Sequence, residues 1–143
     1  MFFVGTVYRS YELKLDALSG GTTLHSALDF KFGNEYLPLN SKKKQELQVA
    51  FRDLQMVIID EISMVGANRL HDINRRLQDI KVNTDSFGGL ATLLVGDILQ
   101  LPPVLASPIF ARPTSIKRRL VFNDPGQNLW ENHTVIELQT NFR

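Results

Sequence analysis

Met56-Val57-Ile58-Ile59-Asp60-Glu61-Ile62-Ser63-Met64-Val65 is the stretch around which the chain is organised. Four apolar residues run without a break into two adjacent carboxylates. An uninterrupted Val/Ile run suits a strand buried on both faces, as in a parallel sheet covered by helices. Charges are costly in that dry layer, so Asp60 and Glu61 are expected where the strand emerges. In an open α/β sheet, the carboxyl ends of strands are where ligands bind. An Asp placed there can hold Mg²⁺, and a neighbouring Glu can polarise an attacking water. The plain alternative is a strand ending in a solvated acidic turn.

A second acidic strand end lies downstream. Leu90 to Val95 reads as another buried strand, and Gly96-Asp97-Ile98-Leu99-Gln100-Leu101-Pro102-Pro103-Val104 follows it. Gly96 permits close backbone approach, and the proline pair stiffens the segment that aims Gln100. An amide can donate to a phosphate oxygen and accept from water, which suits a group that senses a terminal phosphate. Two strand-end acids with a stiffly held Gln point to nucleotide chemistry more than to an incidental loop. Thr134 to Leu138 reads as a third buried strand. Met56–Ile59, Leu90–Val95 and Thr134–Leu138 are thus expected as neighbouring parallel strands.

Helical signals separate these runs. Leu70, Ile73, Leu77 and Ile80 recur at helical spacing, with Arg69, Asp72, Arg75, Arg76 and Asp79 left for an outer face. Ser41 is a suitable cap for a helix from Lys42 to about Asp53. Thr22 or Thr23 can cap a short helix carrying Leu24, Ala27 and Leu28. Phe32 to Asn40 reads as a loop, Asp85 to Gly89 as a turn, and Leu129-Trp130 as a brief helical turn. Strands alternating with helices argue for an α/β fold, a parallel sheet flanked by helices. Residues 1–18 are poorly assignable, with β-type composition from Phe2 to Tyr8 and a weak helical spacing at Leu15 and Leu18.

Composition narrows the function classes. The 143 residues have 43% hydrophobic content, enough for one domain with a proper core. A net charge of +1 gives no global field for nucleic acid, so any such contact is local. There is no cysteine, hence no disulfide framework and no thiolate zinc site, which fits an intracellular protein. No targeting signal is seen, and the apolar runs fall short of a membrane span. Lys42-Lys43-Lys44 and Lys117-Arg118-Arg119 read as solvated basic faces. His71 and His133 lack metal-site spacing.

Gly20-Gly21-Thr22-Thr23-Leu24-His25-Ser26-Ala27-Leu28, Ile58 to Val65, Gly96 to Val104, and Glu137-Leu138-Gln139-Thr140-Asn141-Phe142-Arg143 occur in that order. Together with Phe87-Gly88-Gly89 they resemble the successive motifs of the Pif family of superfamily-1 DNA helicases, including helitron-type helicases. The resemblance covers about Leu18 to Arg143 and implies a partial RecA-like P-loop NTPase motor domain over residues 19–143. It implies Asp60 and Glu61 as the Mg²⁺-coordinating and water-activating acids. Gly96, Asp97 and Gln100 would face the nucleotide, with Gln100 at the γ-phosphate of ATP. Arg143 would neutralise transition-state charge there. Thr23 and His25 would contact single-stranded DNA, with weak, salt-sensitive binding. The implied work is ATP-driven unwinding in repair, recombination and telomere maintenance, in the nucleus or mitochondrion.

One family element is missing from this sequence. No Lys follows a Gly, so it holds no Gly-x-x-x-x-Gly-Lys-Thr/Ser loop to cradle the β- and γ-phosphates. The chain by itself is therefore expected to be inactive as an ATPase. Two other readings stay open: a non-catalytic relic or binding module that keeps the sheet, and a metal-dependent nuclease using Asp60, Glu61 and Asp97 as a carboxylate cluster. A nuclease needs neither the Gln100 segment nor the terminal Asn-Phe-Arg.

Overall fold

The computed structural model describes residues 6–9, 22–31, 36–103, 106–111 and 129–138. The chain divides into two compact units, Met1–Ile109 and Phe110–Arg143. The first holds a four-stranded sheet in the order β2-β1-β3-β4: β1 Thr6–Arg9, β2 Thr22–Thr23, β3 Met56–Ile59 and β4 Ala91–Leu94. β3 and β4 run parallel, with Ile58 opposite Leu93 and Ile59 opposite Leu94. β1 runs antiparallel to both β2 and β3, so the described sheet is mixed. Among the described residues the unit also has three α-helices: α1 Leu24–Leu28, α2 Ser41–Phe51 and α3 Ala67–Lys81.

β3 matches its expected position, but its burial is one-sided. Val57 and Ile59 are buried while Met56 and Ile58 are half-buried, so one sheet face is covered and the other is partly open. β4 departs further from expectation. Among the described residues it ends the strand order, and Leu93 is 48% exposed. Thr134–Leu138, expected as a third strand, is irregular, with Val135, Ile136 and Leu138 exposed. An apolar run signals a strand only where a partner backbone takes up its N–H and C=O groups.

α2 starts one residue earlier than expected, because Asn40 rather than Ser41 is the cap. Its Oδ1 accepts from the Lys43 N–H at 2.8 Å, satisfying an orphan donor of the first turn. Thr23 caps α1 as expected, its Oγ1 accepting from Ser26 N–H at 3.2 Å.

α2, β3 and α3, with Leu54 between the first two, each contribute to the core. Leu47, Phe51, Leu54, Val57, Ile59, Leu70, Ile73, Leu77 and Ile80 are all buried. α3 also buries two charged residues assigned by periodicity to its outer face: Asp72, 8% exposed, and Arg76, 1% exposed. Beyond α3 the chain turns at Ser86–Gly89. Phe87 is buried, its N–H donates to Asn74 Oδ1 at 2.6 Å, and Gly88 adopts φ +67. A Cβ on Gly88 would stand 2.6 Å from the Leu77 carbonyl oxygen, so only glycine lets the turn lie against α3. β4 starts from this turn, with Ala91 N–H donating to Gln55 O at 3.0 Å just ahead of β3.

The end of α3 supports the end of α2. Lys81 Nζ donates to the carbonyls of Phe51, Arg52 and Leu54 at 3.1, 3.1 and 3.2 Å. A lysine there satisfies helix-end carbonyls and complements their negative dipole end. Lys81→Met removes the donors and keeps most of the side-chain volume. We expect a loss of about 2 kcal/mol, the scale of hydrogen bonds to a charged group, measured by urea unfolding. An unchanged urea midpoint would show that the three bonds add nothing to stability.

Candidate functional site

The site begins where β3 and β4 end side by side. Val95 N–H donates to Ile59 O at 2.8 Å, and Ile62 N–H donates back to Val95 O at 2.9 Å. These bonds extend the parallel pairing past the strands and draw the Asp60-Glu61 turn against Gly96. An added Cβ on Gly96, whose φ is +152, would lie 2.8 Å from the Ile62 nitrogen. Any larger residue would push the two strand ends apart. Asp60 and Asp97 therefore leave the sheet at the same edge, as the apolar runs ending in acids predicted.

Asp60 is half-buried, and its Oδ1 accepts from the Glu61 N–H at 2.9 Å. Among the described residues the other carboxylate oxygen has no hydrogen-bond partner. Glu61 is exposed and sits in the left-handed region at φ 53, ψ 44. That conformation costs a non-glycine residue roughly 1 kcal/mol or more, and such strain collects at functional sites. The turn that imposes it runs into a short 3₁₀ segment, Ile62–Met64, anchored by buried Ile62. Ser63 Oγ in that segment is buried with no hydrogen-bond partner.

Asp97, like Asp60, accepts a local backbone N–H through Oδ1. Its Oδ1 accepts from Leu99 N–H at 2.9 Å, and its carbonyl accepts from Gln100 N–H at 3.0 Å. Asp97 thus builds the turn that presents Gln100, and Gln100 is exposed beside the strand mouth. Among the described residues no three His, Cys, Asp or Glu groups gather to hold a metal. The carboxylate cluster required for a nuclease is therefore not formed there.

Thr23 and His25 lie apart from the acidic edge in sequence, at the start of α1. Thr23 is exposed. The His25 ring meets Phe30 edge-on at 6.2 Å between centroids. Burial, aided by the Arg69 guanidinium, pulls the His25 pKa below its ordinary value. Arg143, Gly20 and Gly21 lie outside the described residues. Periodicity missed Arg76 and its ring partners Phe30 and Tyr36, because it treats every charge on a helix as solvated. No helix of the described residues is long and apolar enough to cross a membrane.

Acidic turns at the carboxyl ends of adjacent parallel strands, with helices packed alongside, fit part of a RecA-like domain. The PIF1-like helicase family model matches residues 14–143, and the chain belongs to that family. Over 88 residues it is 42% identical to the ATP-dependent DNA helicase RRM3 of Saccharomyces cerevisiae, covering 59% of this chain and 12% of that one. The crystal structure of Bacteroides sp Pif1 in complex with ADP-AlF4 is similar, with TM-score 0.53, 33% identity and coverage of 73% of this chain and 23% of that one. Bacteroides Pif1 bound to ssDNA matches with TM-score 0.52, 33% identity and the same coverage. The chain thus spans about an eighth of the RRM3 helicase and less than a quarter of the Bacteroides Pif1 chain.

Two outcomes check the local physics of the site. Glu61→Gly removes the left-handed strain, and we expect a gain of about 1 kcal/mol in urea unfolding, net of glycine's entropic cost. A loss of stability would mean that the side chain of Glu61 holds the turn. His25 should titrate below 6.5 by NMR. Because the folded pKa is the lower one, the unfolded chain protonates first as pH falls, and stability drops from about pH 6.5 downward. Arg69→Met should raise the His25 pKa.

Proposed function

We propose that this chain is part of the first motor domain of an ATP-dependent DNA helicase, and that the Asp60-Glu61 turn is its hydrolytic edge. The observation that carries the reading is the pairing of that turn with Gly96-Asp97 across the ends of β3 and β4. Asp60 fits a Mg²⁺ ligand: Mg²⁺ is held by one or two carboxylates plus substrate phosphates, and Asp60 keeps one carboxylate oxygen unengaged. Bound there with ATP, the ion would neutralise charge on the phosphates.

Glu61 takes the proton of the attacking water. Its exposed, strained position leaves the carboxylate unencumbered by the fold. Gln100, presented by the Asp97 turn, donates its amide to the terminal phosphate. Arg143 supplies a positive charge to the same group by its place in the terminal motif. Thr23 and His25 contact a single strand of DNA. Service in repair, recombination and telomere maintenance, in the nucleus or mitochondrion, follows from the family resemblance.

The test grafts residues 22–103 into a Pif1 helicase in place of the matching segment. We expect DNA-stimulated ATP hydrolysis by the graft. Glu61→Gln should lower turnover at least 100-fold, the scale of a lost general base, while ATP is still bound. Turnover that survives Glu61→Gln would remove Glu61 from the chemistry. The chain alone should show no ATPase above background, because it has no Gly-Lys phosphate loop.

A further inference from the structure

Arg76 is charged and 1% exposed, on the third turn of α3. A single hydrogen bond serves it: Nη2 donates to the Leu37 carbonyl at 2.7 Å. Nε and Nη1 are buried without a hydrogen-bond partner among the described residues. Their surroundings explain how the charge is tolerated. The guanidinium carbon lies 5.2 Å from the Phe30 ring centre and 5.0 Å from that of Tyr36. Two aromatic π systems thus take the place of oxygen acceptors.

The same rings are engaged by other groups of α3. Arg69 stands 4.8 Å from the Phe30 centre, and Arg75 stands 4.1 Å from the Tyr36 centre. Tyr36 OH donates to Asp79 Oδ2 at 3.0 Å, and burial pushes its pKa up to about 12. Arg69 pairs with the buried Asp72 at 3.4 Å. Arg76 is the member that touches both rings and the Leu37 backbone. It spans from the residue just beyond α1 to the residues that lead into α2.

α1 cannot hold itself in place. It has five residues, and so short a helix has no stability of its own. It ends at Asp29, left-handed at φ 51, and the next residue is Phe30, whose N–H donates back to His25 O at 2.9 Å. Phe30 is buried, and His25 rests on its edge. Position therefore passes from Arg76 to Phe30 to His25.

We infer that Arg76 is a positioning residue for the DNA strand: its guanidinium, held between Phe30 and Tyr36, fixes Phe30 and through it the His25 end of α1. The inference rests on the reading of Thr23 and His25 as strand contacts, and it adds a residue with no strand contact of its own. It also accounts for a charge that hydrophobic patterning cannot place. For stability alone an apolar side chain of similar volume would serve as well, since such replacements of buried ions are often neutral or stabilising.

That contrast supplies the test. The chain and its Arg76→Met, Arg76→Lys, Thr23→Val and His25→Ala variants are titrated against a fluorescein-labelled oligothymidine by anisotropy at fixed salt. Thermal midpoints and amide hydrogen exchange across residues 24–31 are recorded alongside. We expect Arg76→Met to weaken strand binding about tenfold, or about 1.4 kcal/mol, and to speed exchange across residues 24–31, with a thermal midpoint unchanged or raised. Arg76→Lys, which keeps the charge but not the planar fork, should restore part of the affinity. Binding weakened by Thr23→Val and His25→Ala but unmoved by Arg76→Met would overturn the role of Arg76 and leave the strand reading intact. Binding indifferent to Thr23→Val and His25→Ala, or absent from the unsubstituted chain, would sink the strand reading and this inference with it. If Arg76→Met does not fold, Phe30→Leu decides by the same two readouts, and unchanged affinity and exchange there would overturn the inference.

Discussion

The structure depends on two hydrogen bonds that lace the ends of β3 and β4 together, Val95 N–H to Ile59 O and Ile62 N–H to Val95 O. Strands paired in parallel present their carboxyl ends on one side, and this alone brings two acidic turns, far apart in sequence, to one edge. The constraint is tight. Gly96 is close enough to the Ile62 nitrogen that a single Cβ would intrude, so the strand ends meet backbone to backbone. Glu61 is bent into a left-handed conformation within that junction. Such strain persists only where the surroundings over-determine the backbone, and the buried Ile62 and Val65 that follow do so here.

α3 is the strut on which the rest of the unit is set. At its start, Gly66 pairs with Pro108, and Ala67 N–H donates to Ser107 O at 2.9 Å. Along its length the apolar stripe fills the core. At its end Lys81 gathers three carbonyls from the chain around the end of α2. The Asp60-Glu61 turn leads through the 3₁₀ segment Ile62–Met64 into α3, and α1 leans on α3 through Phe30. α3 thus lies between the Asp60-Glu61 turn and α1.

The two acids at the edge each engage Oδ1 with one backbone N–H, Asp60 with that of Glu61 and Asp97 with that of Leu99, and the Asp97 bond shapes the turn that carries Gln100. Sequence reading grouped Gly96, Asp97 and Gln100 as nucleotide-facing. The geometry gives Asp97 a local task in that group, since its Oδ1 reaches the backbone two residues on, the ordinary Asx-turn habit of aspartate.

By itself the sequence determined the β3 strand, its acidic exit, the α3 stripe, a threonine cap for α1 and the turn at Phe87. Each is written in neighbouring residues, through apolar spacing, capping chemistry or glycine. The ordered motifs also determined the family. Tertiary structure alone decided which expected strands found partners. Among the described residues Ala91–Leu94 has a partner strand on one side only, with Leu93 exposed although Leu90 is buried, and Thr134–Leu138 is irregular, because hydrophobicity reports a wish for burial and not the neighbour that grants it. It alone decided that Asp72 and Arg76 go inward. Periodicity places charges by their cost in an apolar layer, but that cost falls when aromatic rings from a loop some 40 residues away close over the charge. Contacts so distant in sequence leave no local pattern to read.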